Sequence, residues 1–539
     1  MNILLAAIER PFIPGWAGAG TGLRPFAGEM VLIATVIAVL IAPFFTKRSN
    51  VLCAGISIVG LLIALMFEIF VGTGGQSGEY FRGLLVVDRF AQLWKILLFT
   101  FTIGVIVMWF CTTAASMHEG DGPEFFTLLL SATVGMAIMS STANLLMLFM
   151  AVEMASLPSY VLAGFRKTNR IGAEASLKYV LFGAATSAIM VYGLSILYGL
   201  YGTLQVDQLA QAMSVSTIGV GGSALLAVAL AGLIIGVGFK VSAVPFHFWC
   251  PDVFEGASID VSAFLSVASK GAALALLLRV LMTFAAGAGY HNVPGISMNA
   301  LAVVVGVIGA ITATVGNTSA FVQTNIKRLL AYSSIAHAGY MLCALSLLVR
   351  SVHAKADYDP SGQVARALLV YLAIYMFMNL GAFTVAGLIW RETGSEQIED
   401  YAGLGRRSPI LALCMTIFMF SLVGLPPLAG FVAKVVVLWA LIQNGGWWWA
   451  LVAVIGINTI LSLYYYVRVV KVMYLNTSEK PSFIPNPLGL GVAVLCAVML
   501  IAMFLGYAPL GRVAESHSDL YLGEPVSAPM KTASAVQPE

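Results

Sequence analysis

Long apolar runs separated by short polar stretches set the pattern of this chain. A helix needs about 20 apolar residues to cross a bilayer. Fourteen segments meet or approach that length, near 29–45, 51–72, 89–113, 124–141, 143–165, 172–201, 224–249, 257–285, 298–318, 320–350, 365–391, 409–443, 447–474 and 485–508. Two of them, 320–350 and 409–443, are too long for one straight span. The second contains Pro426-Pro427 and is expected to be a broken helix, and Pro245 predicts a similar break at the end of 224–249. The pattern predicts an all-α polytopic membrane protein of about 14 transmembrane helices.

Pro245 and Pro426 are 181 residues apart, and the segments starting near 124 and 298 are 174 apart. Two five-helix units, 124–286 and 298–475, would each carry a discontinuous fourth helix. An odd number of spans per unit would invert the second relative to the first, with interrupted helices at corresponding positions near the midplane. Three helices in 1–123 would precede these units, and one span at 485–508 and a polar, disordered tail over 511–539 would follow.

Composition agrees. Of the 539 residues, 60% are hydrophobic and only 10% charged, against about 25% in soluble domains. Length alone would suggest several soluble domains; the apolar runs overrule that and make the lipid bilayer the first partner. A net charge of +3, with no basic cluster interleaved with aromatics, gives no footprint for nucleic acid. The six cysteines are scattered without CxxC spacing and read as small buried hydrophobes. The N-terminus, MNILLAAIERPF, lacks the positive n-region and A-x-A site of a cleaved signal. There is no Walker A sequence, and GAGTGL near residue 18 lacks the strand and helix that a dinucleotide site needs. No Cys or His cluster suits iron–sulfur or haem ligation. No cofactor or metal is expected in this chain, so any redox energy must come from partners.

Fourteen spans put both termini on one side. With both outside, the inner loops hold thirteen Lys and Arg residues and the outer side nine, which favours that orientation. Six basic residues remain inside apolar segments: Lys95, Lys178, Lys240, Lys270, Arg279 and Lys434. An ion at the bilayer centre costs about 2.5–3.5 kcal/mol or more, so groups near helix midpoints need partners, water or a function.

Glu153, in LLMLFMAVEMASLPSYVL, is a proton-carrying carboxylate, the partner of a lysine, or half of an interhelical salt bridge. Lys240, just before Pro245, either moves a proton or satisfies carbonyls freed by the break. Burial favours its neutral form and a nearby carboxylate its charged form. Unit charges 4 Å apart at an effective dielectric near 20 interact by about 4 kcal/mol, enough to switch a lysine when such a pair opens. Lys270 sits in a small-residue stretch, FLSVASKGAALALLL, open to a helix or a water file. Lys434 follows the second break and stands as the counterpart of Lys240. His337, near Tyr332, Ser333, Ser334 and Tyr340, could hold water between the lysine regions or bond a local carbonyl. His247 is an interfacial histidine or a relay member. Lys178 pairs with Glu174 at i, i+4, as an entry point or a surface pair. Lys95 and Arg279 are expected at interfaces or against neighbouring proteins, Glu68 near a helix end, and Asp252, Glu255 and Asp260 as cation-attracting or solvated acids.

FKVSAVPFHFWCPDVFEGA, QTNIKRLLAYSSIAHAGYML, YMFMNLGAF and MFSLVGLPPLAGFVAK together resemble the antiporter-like subunits of the bacterial proton-pumping NADH:quinone oxidoreductase, respiratory complex I. The similarity runs from about Asp88 to Tyr474. It implies fourteen helices, two inverted five-helix repeats and broken helices 7 and 12. It also implies that Glu153 is the family's fifth-helix glutamate and the ion-pair partner of Lys240, and that Lys270 and Lys434 are the ionisable residues of helices 8 and 12. The region around Arg24 and Pro25 extends beyond the family's compact start. The function expected from the resemblance is proton translocation through Glu153, Lys240, Lys270 and Lys434, with His337 assisting. NADH, FMN, iron–sulfur clusters and quinone would reside in partner subunits, beside neighbouring antiporter-like and small membrane subunits in a bacterial inner membrane. The alternatives are a multisubunit Na⁺/H⁺ antiporter component and a non-transporting scaffold that binds lipid and neighbouring subunits.

Overall fold

The computed structural model describes residues 23–46, 48–70, 77–114, 117–118, 120–166, 169–215, 219–287, 298–349, 360–478 and 480–520. Thirteen of its helices are long and apolar enough to cross a membrane, and the short apolar helices Pro409–Val423 and Ala429–Asn444 together make a fourteenth span. In chain order they are α1 (Ala27–Phe45), α2 (Asn50–Phe70), α3 (Arg89–Thr112), α4 (Gly122–Met139), α5 (Leu145–Ala163), α6 (Arg170–Tyr201), α7a (Val220–Val241) with α7b (Trp249–Gly256), and α8, built from Ile259–Phe264, a π-helical turn Leu265–Ser269 and Lys270–Gly287. They continue as α9 (Met298–Ala320), α10 (Ile326–Leu345), α11 (Pro360–Thr393), α12a (Pro409–Val423) with α12b (Ala429–Asn444), α13 (Trp448–Leu475) and α14 (Pro487–Leu505).

Both expected breaks are present. α7a stops where Ser242 turns left-handed at φ 63°, and α12a stops where Gly424 does so at φ 85°. The apolar run 320–350 proves to be a single span: residues 321–325 are not helical, and Asn325 caps α10 by accepting from the N–H groups of Lys327 and Arg328. Asn144 caps α5 in the same way, 181 residues earlier, the separation of the two prolines. Both caps lie in isolated β-bridges, Asn144 to Gln205 after α6 and Asn325 to Gln397 after α11. The two units thus share a break and a helix start at one offset.

The spans divide by burial. In α8, α10 and α11, 94% of the apolar window is buried inside the protein, against 28% in α14. α11 is the central post, packed on α12a, α12b, α14, α3 and the start of α8. α1, α2 and α3 form a flanking group, in which α1 and α2 pack on α4 while α3 packs on α11 and the start of α8. Two features carried no apolar-period signal. A short antiparallel hairpin, β1 (Gly78–Tyr80) and β2 (Leu85–Val87), precedes α3 and bonds Val86 N–H to the Ser141 carbonyl at 2.6 Å. The tail expected to be disordered from 511 is helical over Tyr507–Ser516, where Glu515 meets Arg366 at 3.3 Å; residues 521–539 and 1–22 lie outside the described residues.

Candidate functional site

The end of α7a sets the first lysine. Breaking a helix leaves backbone carbonyls without partners. Here the Phe239 carbonyl accepts from Ser242 N–H and from Trp249 Nε1, the latter at 3.1 Å across the break. Trp249 opens α7b and stacks on Tyr179 of α6, with centroids 4.3 Å apart and planes at 8°. Lys240, one residue from the end of α7a, has no exposed surface and donates to Ser156 Oγ on α5 at 2.9 Å. Ser156 in turn donates to the Val152 carbonyl at 2.6 Å. Glu153 lies one turn away on α5, half-buried, and accepts a hydrogen bond from Ser187 of α6. The direct Glu153–Lys240 ion pair that the resemblance implied is therefore not closed: each side chain is held by a serine. α5 runs on through Pro158, which removes one N–H from its ladder without ending it. His247, within the break, has its ring 4.5 Å from that of Phe248, and among the described residues its buried Nδ1 has no hydrogen-bond partner and its ring makes no hydrogen bond to the lysines.

Lys270 follows the π-helical turn of α8, a distortion frequent at functional sites. It is 1% exposed. Its ammonium donates to Ser334 Oγ on α10 at 2.5 Å, lies 3.4 Å from Cys250 Sγ on α7b, and sits 5.6 Å from the Phe254 ring centre. Cys250, expected to be an inert small hydrophobe, is thus a lysine contact. One turn beyond Ser334, His337 Nδ1 pairs with the Tyr371 hydroxyl of α11 at 2.7 Å, and its ring lies 5.0 Å from that of Tyr375.

The second break places the third lysine. Gly430 N–H bonds Ser421 Oγ at 3.1 Å, closing the two half-helices on each other. Lys434 reaches back from α12b and donates to the Val423 carbonyl at the end of α12a at 2.8 Å, and to Thr459 Oγ1 of α13 at 3.2 Å. Its ammonium lies 4.8 Å from the centre of the Tyr340 ring. Lys240 precedes its break and Lys434 follows its own, so the two are not at equivalent positions; the residue 181 after Lys240 is Ser421. The same offset pairs Glu153 with Ser334 and Ser156 with His337. The two serines that hold lysines, Ser156 on α5 and Ser334 on α10, are therefore not at matching positions, and the position of Ser334 carries a carboxylate in the first unit. Among the described residues, none of Lys240, Lys270 and Lys434 lies within 4 Å of a carboxylate oxygen; every one is held by neutral oxygen or sulfur.

A buried network, of which the sequence marked only Ser333 and Tyr340, adjoins Lys434. Asn317 of α9 donates to the Tyr340 hydroxyl at 2.9 Å and to Asn458 at 3.1 Å and accepts from Tyr465 at 2.9 Å, while Ser333 and the Tyr466 hydroxyl meet at 2.5 Å.

Other charges fall differently from expectation. Arg279 is at no interface: it is fully buried in a two-bond pair with Asp88, at 2.7 and 2.9 Å, and also donates to the Ser140 carbonyl at 2.7 Å. Lys95 is buried against Glu29 and Glu68. Asp260 is not solvated; it is fully buried and accepts from Thr113 at 2.6 Å. Lys178 is partly exposed and bonds Glu174 at 2.9 Å and Asp252 at 2.7 Å. Asp252 and Glu255 both receive Arg328, at 2.8 and 2.6 Å, so this cluster ties α6, α7b and α10 together. Lys327, one of the thirteen cations assigned to the inner loops by sequence, is buried and paired with Glu396 at 2.6 Å. No group of three or more His, Cys, Asp or Glu suited to a metal ion occurs among the described residues.

Comparison with known proteins adds three findings. A family model described as NADH:quinone oxidoreductase/Mrp antiporter, transmembrane, matches residues 142–461. NADH-quinone oxidoreductase subunit N of Anaeromyxobacter sp. (strain Fw109-5) is 37% identical over 92% of the chain and 97% of the relative, and subunit N 2 of Sorangium cellulosum is 38% identical over 90% and 94%. A chain of respiratory complex I from Thermus thermophilus superposes with a TM-score of 0.72 at 30% identity, covering 90% of this chain and 99% of that one.

Proposed function

Because this chain belongs to the NADH:quinone oxidoreductase/Mrp antiporter membrane-subunit family, among its subunit N members, we propose that it moves protons across the membrane through Lys240, Lys270, His337 and Lys434 under the control of Glu153. The observation that carries this reading is the set of three buried lysines without a carboxylate at salt-bridge distance. A lysine kept charged for stability alone would be matched to a counter-ion, as Arg279 is to Asp88. Lysines held only by hydroxyls, a thiol and carbonyls can lose a proton without leaving a buried anion behind.

In this scheme Glu153 sets the charge of Lys240 through its distance from the ammonium, with Ser187 and Ser156 as the alternative partners of each. Water carries the proton from Lys240 to Lys270. Ser334 and His337, one turn apart on α10, hand it toward Lys434, whose site on α12b faces the second break. Lys178, paired in the surface cluster, is an anchor of α7b in this reading, and His247 is left outside the relay. Quinone reduction in partner subunits, which would hold NADH, FMN, iron–sulfur clusters and quinone, drives the cycle. The distribution of Lys and Arg between the loops supports termini on the outer side of a bacterial cytoplasmic membrane.

The test is Glu153→Gln and Lys240→Ala in the assembled complex in proteoliposomes, with NADH oxidation and proton uptake measured together. Both variants should lose pumping. Unchanged pumping with either would remove the relay, and a loss of assembly at unchanged proton stoichiometry would make the chain a scaffold.

A further inference from the structure

A second buried ionic group lies outside the relay, in α1, α2 and α3, and outside the 142–461 span of the family match. Glu29 in the first turn of α1, Glu68 in the last turn of α2 and Lys95 of α3 meet at the bundle end that carries the hairpin. Their side chains are 5%, 2% and 2% exposed. Lys95 Nζ is 2.5 Å from Glu29 Oε1 and 3.8 Å from Glu68 Oε1. The Phe26 ring covers the ammonium at 5.6 Å and is itself packed against Tyr80 and Phe81 of the hairpin. Gly28 makes the room: a Cβ there would lie 2.5 Å from Glu68 Oε1.

The charges do not balance. Nearby Asp88 is already matched by Arg279, so one ammonium faces two carboxyls. Among the described residues, nothing donates a hydrogen bond to the buried Glu29 Oε2 or Glu68 Oε1. A lone anion buried in a membrane bundle is costly, and two carboxylates sharing one site do not both ionise. A metal cation does not answer the imbalance, because the lysine ammonium already occupies the position against Glu29 that it would take. A proton does: it neutralises one carboxyl and supplies the missing donor between the two.

We propose that Glu29 and Glu68 share one proton beneath Lys95, which makes the α1–α3 bundle a proton-binding site separate from the relay. Either carboxyl can hold the proton while the other pairs with the lysine. Each single amide variant therefore keeps the group neutral, whereas the double amide strands Lys95.

The test compares the assembled wild-type complex with Glu29→Gln, Glu68→Gln and the double variant. Infrared difference spectra of wild type against each single variant should show loss of one protonated-carboxyl C=O band that shifts in D₂O. Each single variant should assemble within about twofold of wild type, and the double variant at about one tenth or less, since an uncompensated buried charge remains. Spectra in which both single variants lose only ionised-carboxylate bands would overturn the proposal. So would failure of both single variants to assemble, or normal assembly of the double variant.

Discussion

Lys434 bonds a carbonyl at the end of a half-helix, where an ordinary buried cation would bond a carboxylate. That distinction separates charge from proton transfer. Arginine keeps the charge and the donors but does not release a proton in proteins. Lys434→Arg should therefore assemble yet lose proton pumping as fully as Lys434→Ala, measured as acidification per NADH oxidised in proteoliposomes. An arginine variant that pumps normally would mean that the ammonium serves only as a fixed charge. Asp88 makes the opposite case. Its pair with Arg279 is fully buried and also caps α3 through Ala91 N–H at 2.8 Å. Asp88→Asn should destabilise by about 3–5 kcal/mol, seen as a lower unfolding temperature, with no change in proton stoichiometry in the complex that survives. These two outcomes also mark what the sequence made legible. Lys240, Lys270 and Lys434 stood out because a charge in an apolar run is conspicuous alone. Ser156, Ser187 and Cys250 did not, because small polar residues are common in membrane helices and only helix packing chooses their partners; Ser334 was marked only through its neighbour His337. Asp88 and Arg279 are 191 residues apart, so nothing local announces their pair.

At the scale of elements, the two breaks were readable from proline in long apolar runs, and the structure adds how each is sealed. α7 closes with Trp249 bonding back to Phe239, and α12 with Gly430 bonding Ser421. Gly424 carries the turn at φ 85°, and a Cβ on it would lie 2.9 Å from Lys434 Cδ. Gly424→Ala should therefore cost about 1–2 kcal/mol of backbone strain and displace the lysine from the Val423 carbonyl. Pumping should fall several-fold while the assembled amount falls little; a variant with normal pumping would show that the seal does not position Lys434. The π-helical turn before Lys270 was not legible, since it conserves the apolar pattern and changes only hydrogen-bond register. The hairpin was missed for a different reason: its strands are three residues each, too short for a period-2 signal.

Across the whole molecule, the three lysines draw partners from both of the expected five-helix units, and Lys270 takes one from each. Lys240 is held from α5, Lys270 from α7b and α10, and Lys434 from α12a and α13. Glu153 is on the first unit only, since its counterpart at the 181-residue offset is Ser334. In the proposed relay, one carboxylate for two half-channels implies a single conduit controlled from one end. Groups that act as a unit show strongly non-additive losses, whereas distant independent sites add. Glu153→Gln and Lys434→Ala should each reduce pumping by about tenfold or more, within the range that a positioned proton-transfer group contributes. The double variant should pump no worse than the more damaged single one. Two independent channels would instead each carry a share of the protons, so each single variant would lose only its own channel's share and the double variant would pump less than either. Proton uptake per NADH in the four complexes, wild type, two singles and the double, decides between one conduit and two, because among the described residues Glu153 and Lys434 share no hydrogen-bond partner through which a local distortion could pass.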